Sequence, residues 1–245
     1  MMIKPDGTFV GVHKPSVEYP FHLAIYKRRP DIGAVLHAHP PALVAFSIAR
    51  ILPDTDIIPD AKILCGKITY AGYALPGSTE LGDNISAEFE KGINTVMLEN
   101  HGVVIGAGDL FSAFMNFETL DYCARVQINA ATICGTLRRV TQKHMEMFKL
   151  KTAPIMDEFS DSVHTGEELA ARRDMCDLIR RAYGNQLFTS EQGTFSCRLS
   201  DGSFVITPYG KDRAYLEPED LVRIKDGKRE SGKIPSRSVA LHQKM

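Results

Sequence analysis

Residues 33–49, GAVLHAHPPALVAFSIA, decide the fold class of this 245-residue chain. The first seven of them predict a mostly buried strand, the two prolines end it, and residues 42–49 predict a helix. Residues 95–98, TVML, predict a second strongly apolar strand, and apolar residues at helical spacing follow Asp109. Strands that alternate with helices indicate an α/β domain.

The flanking segments extend this pattern. We expect a helix from Ser16, as its N-cap, to about Arg29, and a strand over residues 62–70. Residues 148–165 are irregular and indicate a linker. A helix is predicted over residues 167–183, and two alternating runs around the Asp-Gly pair at 201–202 predict a β-hairpin.

Composition excludes several classes of function. Acidic and basic residues are mixed along the chain and the formal net charge is −1, which argues against nucleic-acid or membrane partners while allowing a small phosphate pocket. The first residues contain no signal-peptide core, and no apolar stretch reaches the length of a membrane span. The cysteines are odd in number and lack a Cys-x-x-Cys pair, so we expect free thiols in the cytoplasm.

Three histidines form a candidate metal site. His37 and His39 are two residues apart on a predicted strand, so their side chains point to the same face. His101 lies where another strand ends, and Gly102 allows a close backbone approach or a sharp turn. Three imidazoles leave a fourth position for a carboxylate, water or substrate, as in catalytic zinc sites. Taken alone, a strand histidine is more often a core residue whose hydrogen bonds are satisfied.

Sequence motifs around these histidines carry a family resemblance. They are KPSVEYPFH (residues 14–22), RPDIGAVLHAHP (29–40), YALPGSTEL (73–81) and ENHG (99–102). In this order they resemble the class II aldolase/adducin family, whose members include sugar-phosphate aldolases and epimerases. The resemblance covers about residues 3–140.

The resemblance implies a fold, a site and an activity. It implies a three-layer domain with a central, largely antiparallel or mixed sheet flanked by helices, and a homo-oligomer such as a tetramer. His37, His39 and His101 would bind Zn²⁺ or another divalent metal, and Glu18 would be the acid/base. Without the family, Glu18 is a favourable charge in the first turn of a helix.

The implied reaction is retro-aldol cleavage of a small ketose phosphate. A family epimerase or a dehydratase is an alternative, although epimerases tend to have Asp at the position of Glu18. A non-catalytic, adducin-like interaction domain is a second alternative. Metal content discriminates, because an interaction domain has no need of stoichiometric metal.

The end of the chain repeats its beginning. Residues 3–7 resemble residues 224–227, Pro15-Ser16 resembles Pro235-Ser236, and a histidine follows each Pro-Ser pair at the same spacing. Motifs with which the family's domain normally begins occur only within residues 193–221. We therefore expect an aldolase-like domain at 1–150 that lacks its N-terminal part and a linker at 151–165. Residues 166–245 are expected to be the N-terminal part of a second copy, which completes the first in cis or in trans.

Such a chain is either a piece of a tandem protein or a circular permutant. Ser238 stands where the first copy has Glu18, so the second copy would lack the acid/base. The resemblance also implies a phosphate pocket. Its candidates are Ser16, Gly193, Thr194, Thr207 and Gly210. Three changes from the usual family residues, at Val17, Thr194 and Tyr209, leave open whether the substrate is phosphorylated.

Overall fold

The computed structural model of the protein describes residues 1–150, 152–160 and 163–245. These residues form two compact units, Met1–Met145 and Glu146–Met245. The range expected to be a linker, 151–165, includes Lys151, Asp161 and Ser162, which lie outside the described residues.

The first unit alternates strands and helices. Its strands are β1 (Met2–Ile3), β2 (Phe9–Val10), β3 (Ala34–Ala38), β4 (Ile68–Ala71), β5 (Thr95–Leu98) and β6 (Val103–Ala107). Its helices are α1 (Tyr19–Arg28), α2 (Pro41–Ala49), α3 (Pro59–Cys65), α4 (Thr79–Glu90) and α5 (Leu110–Cys134), with a 3₁₀ turn at Thr55–Ile57. Helix α6 (Gln142–Lys149) crosses the boundary between the units.

Strands β1 and β2 form a small antiparallel sheet, and the four-stranded main sheet of this unit is mixed and covered on both faces. The strand order is β3-β6-β5-β4, in which only the β5–β4 pair is parallel. Val96 and Leu98 pack with residues of α1 and α4, whereas Met97 packs with residues of α2, α3 and α5. Burial on both faces explains why residues 95–98 are continuously apolar. The predicted α/β class and the layered arrangement are confirmed.

Two local predictions differ from the structure. Residues 59–65, which overlap the strand expected over 62–70, form helix α3 because Pro59 occupies the first helical position, where its missing N–H costs nothing. Helix α1 begins at Tyr19 with Glu18, not Ser16, as its N-cap residue. The Ser16 hydroxyl instead accepts a hydrogen bond from the Glu18 N–H at 3.3 Å. The Glu18 carboxylate makes no cap hydrogen bond, which leaves it available for other partners.

The second unit contains one long helix and a second mixed sheet. Its elements are β7 (Glu158–Phe159), α7 (Gly166–Gly184), β8 (Ser196–Arg198), β9 (Phe204–Ile206), β10 (Val222–Lys225), β11 (Lys228–Glu230) and α8 (Val239–His242), with 3₁₀ turns at Arg213–Tyr215 and Pro218–Asp220. The strand order is β7-β11-β10-β9-β8, and only the β7–β11 pair is parallel. Strand β7 lies within the range expected to be a linker. Helix α7 buries Met175, Cys176 and Ile179 against residues of the sheet.

Two further features bear on function. No helix in the described part of the chain combines the length and the apolar character that crossing a membrane requires. The cysteines are free thiols, and burial raises the pKa of Cys65 and of Cys123 to about 12. Because the thiolate is the nucleophile, these two buried cysteines are chemically inert near neutral pH.

Candidate metal centre

The first unit brings together the four side chains that the sequence singled out. Glu18, His37, His39 and His101 each offer one ligand atom, and these atoms all lie within 4.8 Å of one another. Glu18 precedes helix α1, His37 lies near the end of strand β3, His39 directly follows that strand, and His101 lies in the turn between β5 and β6. The site therefore depends on three separate parts of the chain.

Strand geometry and one glycine explain the convergence of the histidines. The imidazole rings of His37 and His39 have their centroids 4.6 Å apart, as expected for residues two apart on a strand. The His101 ring stacks on the His39 ring at 4.7 Å. Gly102 makes this possible, because a Cβ atom there would lie 2.5 Å from the Ala38 carbonyl oxygen and 2.8 Å from His39 Cδ2. Of the two roles expected for Gly102, the structure uses the close approach.

The tautomer of His37 is defined by its backbone partner, and its neutral form by burial. Nδ1 of His37 lies 3.0 Å from the Val103 carbonyl oxygen. A carbonyl can only accept, so the proton of the neutral ring is on Nδ1 and Nε2 carries a lone pair. Burial lowers the pKa of His37 and outweighs the opposing effects of the Val103 carbonyl and the Glu18 carboxylate. His37 is therefore a neutral ring with its free nitrogen directed into the site.

That nitrogen is a buried polar atom without a hydrogen bond. Nε2 of His37 is inaccessible to solvent and makes no hydrogen bond, although it lies 3.3 Å from Glu18 Oε1. A lone pair that faces a carboxylate oxygen is an unfavourable arrangement of two acceptors, and a buried unpaired acceptor costs free energy. A cation between the two atoms removes both penalties.

His101 completes the same arrangement. Its Nε2 also lies 3.3 Å from Glu18 Oε1. Burial, followed by the neighbouring His37 and His39, lowers the pKa of His101. His39 is the exposed member of the group. Three imidazole nitrogens and one carboxylate oxygen are a donor set that suits Zn²⁺ and similar divalent ions. The residues present fit a divalent metal.

His22 lies next to this group and outside the set of ligand atoms. Its ring stacks on that of Phe21, with centroids 4.6 Å apart. Burial, followed by His37, lowers its pKa. His22 therefore packs behind the site as a neutral ring.

The candidate phosphate residues lie in different places. Ser16 belongs to the first unit and sits two residues before Glu18. Thr194 and Thr207 belong to the second unit and converge on Ser236, whose hydroxyl lies 2.8 Å from Thr194 Oγ1 and whose N–H donates to the Thr207 carbonyl at 2.9 Å. Gly193 precedes this group, and its carbonyl oxygen accepts hydrogen bonds from the buried Arg213 guanidinium.

Gly210 is the least favourable of the candidates. It ends the turn after Thr207 with φ +67°, a conformation that suits glycine. The Glu191 carboxylate lies close to it, and a carboxylate repels an anion. The Arg213 guanidinium, which binds the Gly193 carbonyl, remains charged at neutral pH, although burial lowers its pKa to about 10.

Ser236 was missed as a candidate, although the internal repeat pointed to it. It is the counterpart of Ser16, and the two loops share one local hydrogen bond. Ser236 Oγ accepts from the Ser238 N–H at 3.3 Å, as Ser16 Oγ does from Glu18. The N-cap residues also match, with φ −93° and ψ −3° for Glu18 against φ −89° and ψ 4° for Ser238.

Comparison with known proteins agrees with this fold. The chain belongs to the family described as the class II aldolase and adducin N-terminal domain, whose profile matches residues 1–128 and 173–245. This match defines the class of protein. The individual relatives within that class carry different names.

The relatives include enzymes with two different activities. The chain is 34% identical over 125 residues to a 3-oxo-tetronate 4-phosphate decarboxylase from Haemophilus influenzae, covering 49% of this chain and 59% of that protein. It is also 34% identical over 113 residues to an L-fuculose phosphate aldolase from Methanococcus maripaludis, covering 46% and 60%. The chain thus spans about three fifths of the length of these two curated relatives.

A solved structure of an L-fuculose 1-phosphate aldolase is similar as well. It matches with a TM-score of 0.52 and 32% sequence identity, over 60% of this chain and 71% of that chain. The fold of the matched region is therefore that of a class II aldolase.

Proposed function

We propose that this chain carries the reaction centre of a zinc-dependent or other divalent-metal-dependent aldolase, which cleaves a small ketose phosphate by retro-aldol chemistry. The observation that supports it best is the position of Glu18, whose Oε1 lies 3.3 Å from Nε2 of both His37 and His101. The similarity to L-fuculose phosphate aldolases supports the same class of substrate.

The reaction needs charge stabilisation and proton transfer. A bound divalent cation supplies positive charge for the oxygen atoms on which negative charge develops as the carbon–carbon bond breaks. His37, His39 and His101 hold that cation, and the Val103 carbonyl fixes His37 in the tautomer with a free Nε2.

Glu18 performs the proton transfers. Its carboxylate takes the proton of the hydroxyl group on the carbon that becomes the aldehyde. The electrons of the broken bond move to the carbon next to the carbonyl, and Glu18 then returns its proton to that carbon. The absence of a side-chain cap hydrogen bond to Glu18 leaves the carboxylate able to do this.

Decarboxylation of a 3-oxo acid phosphate is a second candidate, favoured by the similarity to the Haemophilus enzyme. In that reaction carbon dioxide leaves and the same electron pair remains next to the carbonyl. No hydroxyl proton has to be removed, so Glu18 would act only as the acid that protonates carbon. An epimerase or dehydratase shares the metal but releases no aldehyde or carbon dioxide, and an interaction domain needs no metal.

Metal analysis and product analysis test these proposals together. Metal content would be measured on the whole chain and on His37→Gln, with the exposed His144→Gln as the matched control. Ketose 1-phosphates and a 3-oxo acid phosphate would then be supplied, with separate detection of aldehyde and carbon dioxide. Glu18→Gln keeps the size of the side chain and removes the base, and Glu80→Gln is its exposed control.

The expected result is about one divalent ion per chain, lost in His37→Gln and kept in His144→Gln. For an aldolase, Glu18→Gln lowers aldehyde release by about 100-fold or more while metal binding persists. Stoichiometric metal with carbon dioxide as the product would replace the aldolase by the decarboxylase. A chain that takes up no metal would refute both enzymes and favour the interaction domain.

The second unit extends the proposal. We propose that the hydroxyls of Thr194, Thr207 and Ser236 bind a phosphate group, and that Ser16 has the corresponding place in the first unit. The matches of residues 1–128 and 173–245 to one family support both a piece of a tandem protein and a circular permutant. The homo-oligomer, the cytoplasmic location and the completion of one copy by the other remain predictions.

Cross-linking mass spectrometry tests the arrangement of the copies. Equal amounts of isotopically light and heavy chains would be mixed, unfolded and refolded together before cross-linking. If cross-links between residues 1–145 and 167–235 join only segments of the same isotope, completion is in cis. If mixed-isotope cross-links also form between these segments, completion is in trans within an oligomer. Cross-links confined to each segment would refute both.

A further inference from the structure

Two residues of the first unit have a left-handed backbone conformation and are joined by a side-chain hydrogen bond. Arg50, at the end of α2, has φ 59°, and Asn100, in the turn between β5 and β6, has φ 53°. The left-handed region is unfavourable for most residues with a Cβ, and asparagine tolerates it better than arginine does. The Arg50 guanidinium donates to Asn100 Oδ1 at 3.0 Å. Strain of this kind persists only where surrounding contacts impose it, and it is concentrated at functional sites.

The same guanidinium also binds Glu99. Nη1 of Arg50 forms an ion pair with Glu99 Oε1, and Glu99 Oε2 accepts a hydrogen bond from the Tyr73 N–H at 3.2 Å. Arg50 and Glu99 therefore fasten three parts of the unit together: the end of α2, the β5–β6 turn and the loop that follows β4.

Arg50 is itself fixed from the other side. The Tyr70 hydroxyl of β4 donates to the Ile51 carbonyl at 2.8 Å, directly after Arg50. The Arg50 backbone N–H points back to the Ser47 carbonyl at 3.4 Å. The guanidinium thus extends from an anchored residue towards the turn.

The next residue in that turn is His101. The turn is narrow, since the Leu98 N–H donates to the Gly102 carbonyl at 2.8 Å and the His101 N–H donates to the Leu98 carbonyl at 3.2 Å. His37 has a ring nitrogen held by a backbone carbonyl. Among the described residues, Nδ1 of His101 has no corresponding hydrogen bond. The direction of the His101 ring therefore depends on the conformation of the turn and on its stacking against the His39 ring.

We propose that Arg50 and Glu99 are positioning residues for His101, which hold the β5–β6 turn so that Nε2 of His101 points at the same place as Nε2 of His37. The inference rests on the proposed metal-binding role of the three histidines. Neither Arg50 nor Glu99 belongs to the group of four ligand residues, and both act through the backbone of the turn. Residues that orient metal ligands typically change metal affinity by 10- to 100-fold when they are replaced.

The pair is suited to positioning more than to stabilising the fold. The Arg50 side chain is 51% exposed and that of Glu99 is 27% exposed, and exposed ion pairs contribute little to the free energy of unfolding. Loss of the pair is therefore expected to change metal affinity with little change in the melting temperature. A purely structural pair would show the reverse.

The test measures the affinity of the whole chain for Zn²⁺ and Co²⁺ by chelator competition, together with the visible spectrum of bound Co²⁺. The variants are Arg50→Met, Glu99→Gln, the double variant and Arg50→Lys. Asn100→Gly separates the backbone from the side chain, since glycine accepts the left-handed conformation but loses the contact with Arg50. Arg28→Met is the matched control, because Arg28 forms exposed ion pairs with Asp83 and Glu90 in the same unit.

We expect affinity to fall by about 10- to 100-fold in Arg50→Met and Glu99→Gln, with an altered Co²⁺ spectrum and an unchanged melting temperature. The double variant should be no weaker than either single variant, because both remove one shared device. Arg50→Lys should restore part of the affinity and Arg28→Met should leave it unchanged. Wild-type affinity and spectrum in both single variants would overturn the positioning role. If the wild-type chain itself binds no metal, the proposed function fails and this inference fails with it.

Discussion

Replacing Gly102 by alanine should weaken metal binding through His101, without removing any ligand. The new Cβ would lie 2.5 Å from the Ala38 carbonyl oxygen, whereas real Cβ contacts are essentially never shorter than 3.0 Å. The turn must therefore move away from β3 by about 0.5 Å, because the atom it meets is backbone and cannot rotate away. Metal ligands need to be held within about 0.5 Å of their productive positions. We expect metal affinity to fall by about 10-fold or more.

Gly108→Ala is the matched control for this prediction. It lies just after the same strand, β6, and an added Cβ would meet nothing within 4 Å. Overpacking at Gly102 should also lower the free energy of unfolding by about 1–3 kcal/mol, or about 2–4 °C of melting temperature per kcal/mol. Chelator competition and thermal denaturation measure the two effects. If Gly102→Ala binds Zn²⁺ like Gly108→Ala, then the close approach at Gly102 does not place His101.

Three further predictions address pH, the second unit and the candidate anion site. The stability of the metal-free chain should fall as the pH drops from about 7 to about 5. The reason is that the unfolded chain takes up a proton near the ordinary histidine pKa of 6.5, while burial lowers the pKa of His37 in the folded chain. Urea denaturation of the wild type and of His37→Gln at each pH measures this. Glu168→Ala should destabilise the second unit by about 3–5 kcal/mol, because the fully buried carboxylate accepts hydrogen bonds from Arg172 and Arg223. Urea denaturation measures this loss of stability, with the exposed Glu219→Ala as control. Thr207→Val should weaken inorganic phosphate binding by about 5- to 10-fold, because one hydroxyl donor is lost; isothermal titration measures it.

Each of these has an outcome that contradicts it. An equal pH slope in the wild type and His37→Gln would mean that another group is responsible. Equal stability of Glu168→Ala and Glu219→Ala would mean that the buried ion network contributes nothing net. Phosphate affinity that is the same in the wild type and Thr207→Val would remove Thr207 from the candidate site.

The sequence predicted the elements whose signals are local. Residues 95–98 are apolar at every position, and Asp109 caps the helix that follows, as its acceptance of the Ser112 N–H at 2.9 Å shows. Residues 62–65 were mistaken for part of a strand because a short apolar run has no decisive period, and only the proline at the first position of the helix 59–65 indicated otherwise. The N-cap was misplaced because Ser16 uses its hydroxyl in a turn two residues earlier.

The site was predictable only as a set of residue types. The histidine pair and the ENHG motif pointed to a metal, and the structure places Glu18 beside them. The Arg50–Glu99 pair could not be predicted, because its members are 49 positions apart in the sequence and nothing in the local sequence of Arg50 indicates a left-handed residue. The Thr194–Ser236 contact likewise joins residues far apart in the chain, and only the internal repeat indicated it.

The two Pro-Ser loops of that repeat have the same backbone geometry and different N-cap side chains. Both copies have the same serine hydrogen bond and nearly the same N-cap dihedral angles. The first copy carries a carboxylate at the N-cap and the second a hydroxyl, Ser238. Since neither N-cap side chain makes a cap hydrogen bond, helix capping does not account for the choice between Glu and Ser. The loop is thus a scaffold common to both copies, and a carboxylate 3.3 Å from two imidazole nitrogens is what distinguishes the copy proposed to catalyse the reaction.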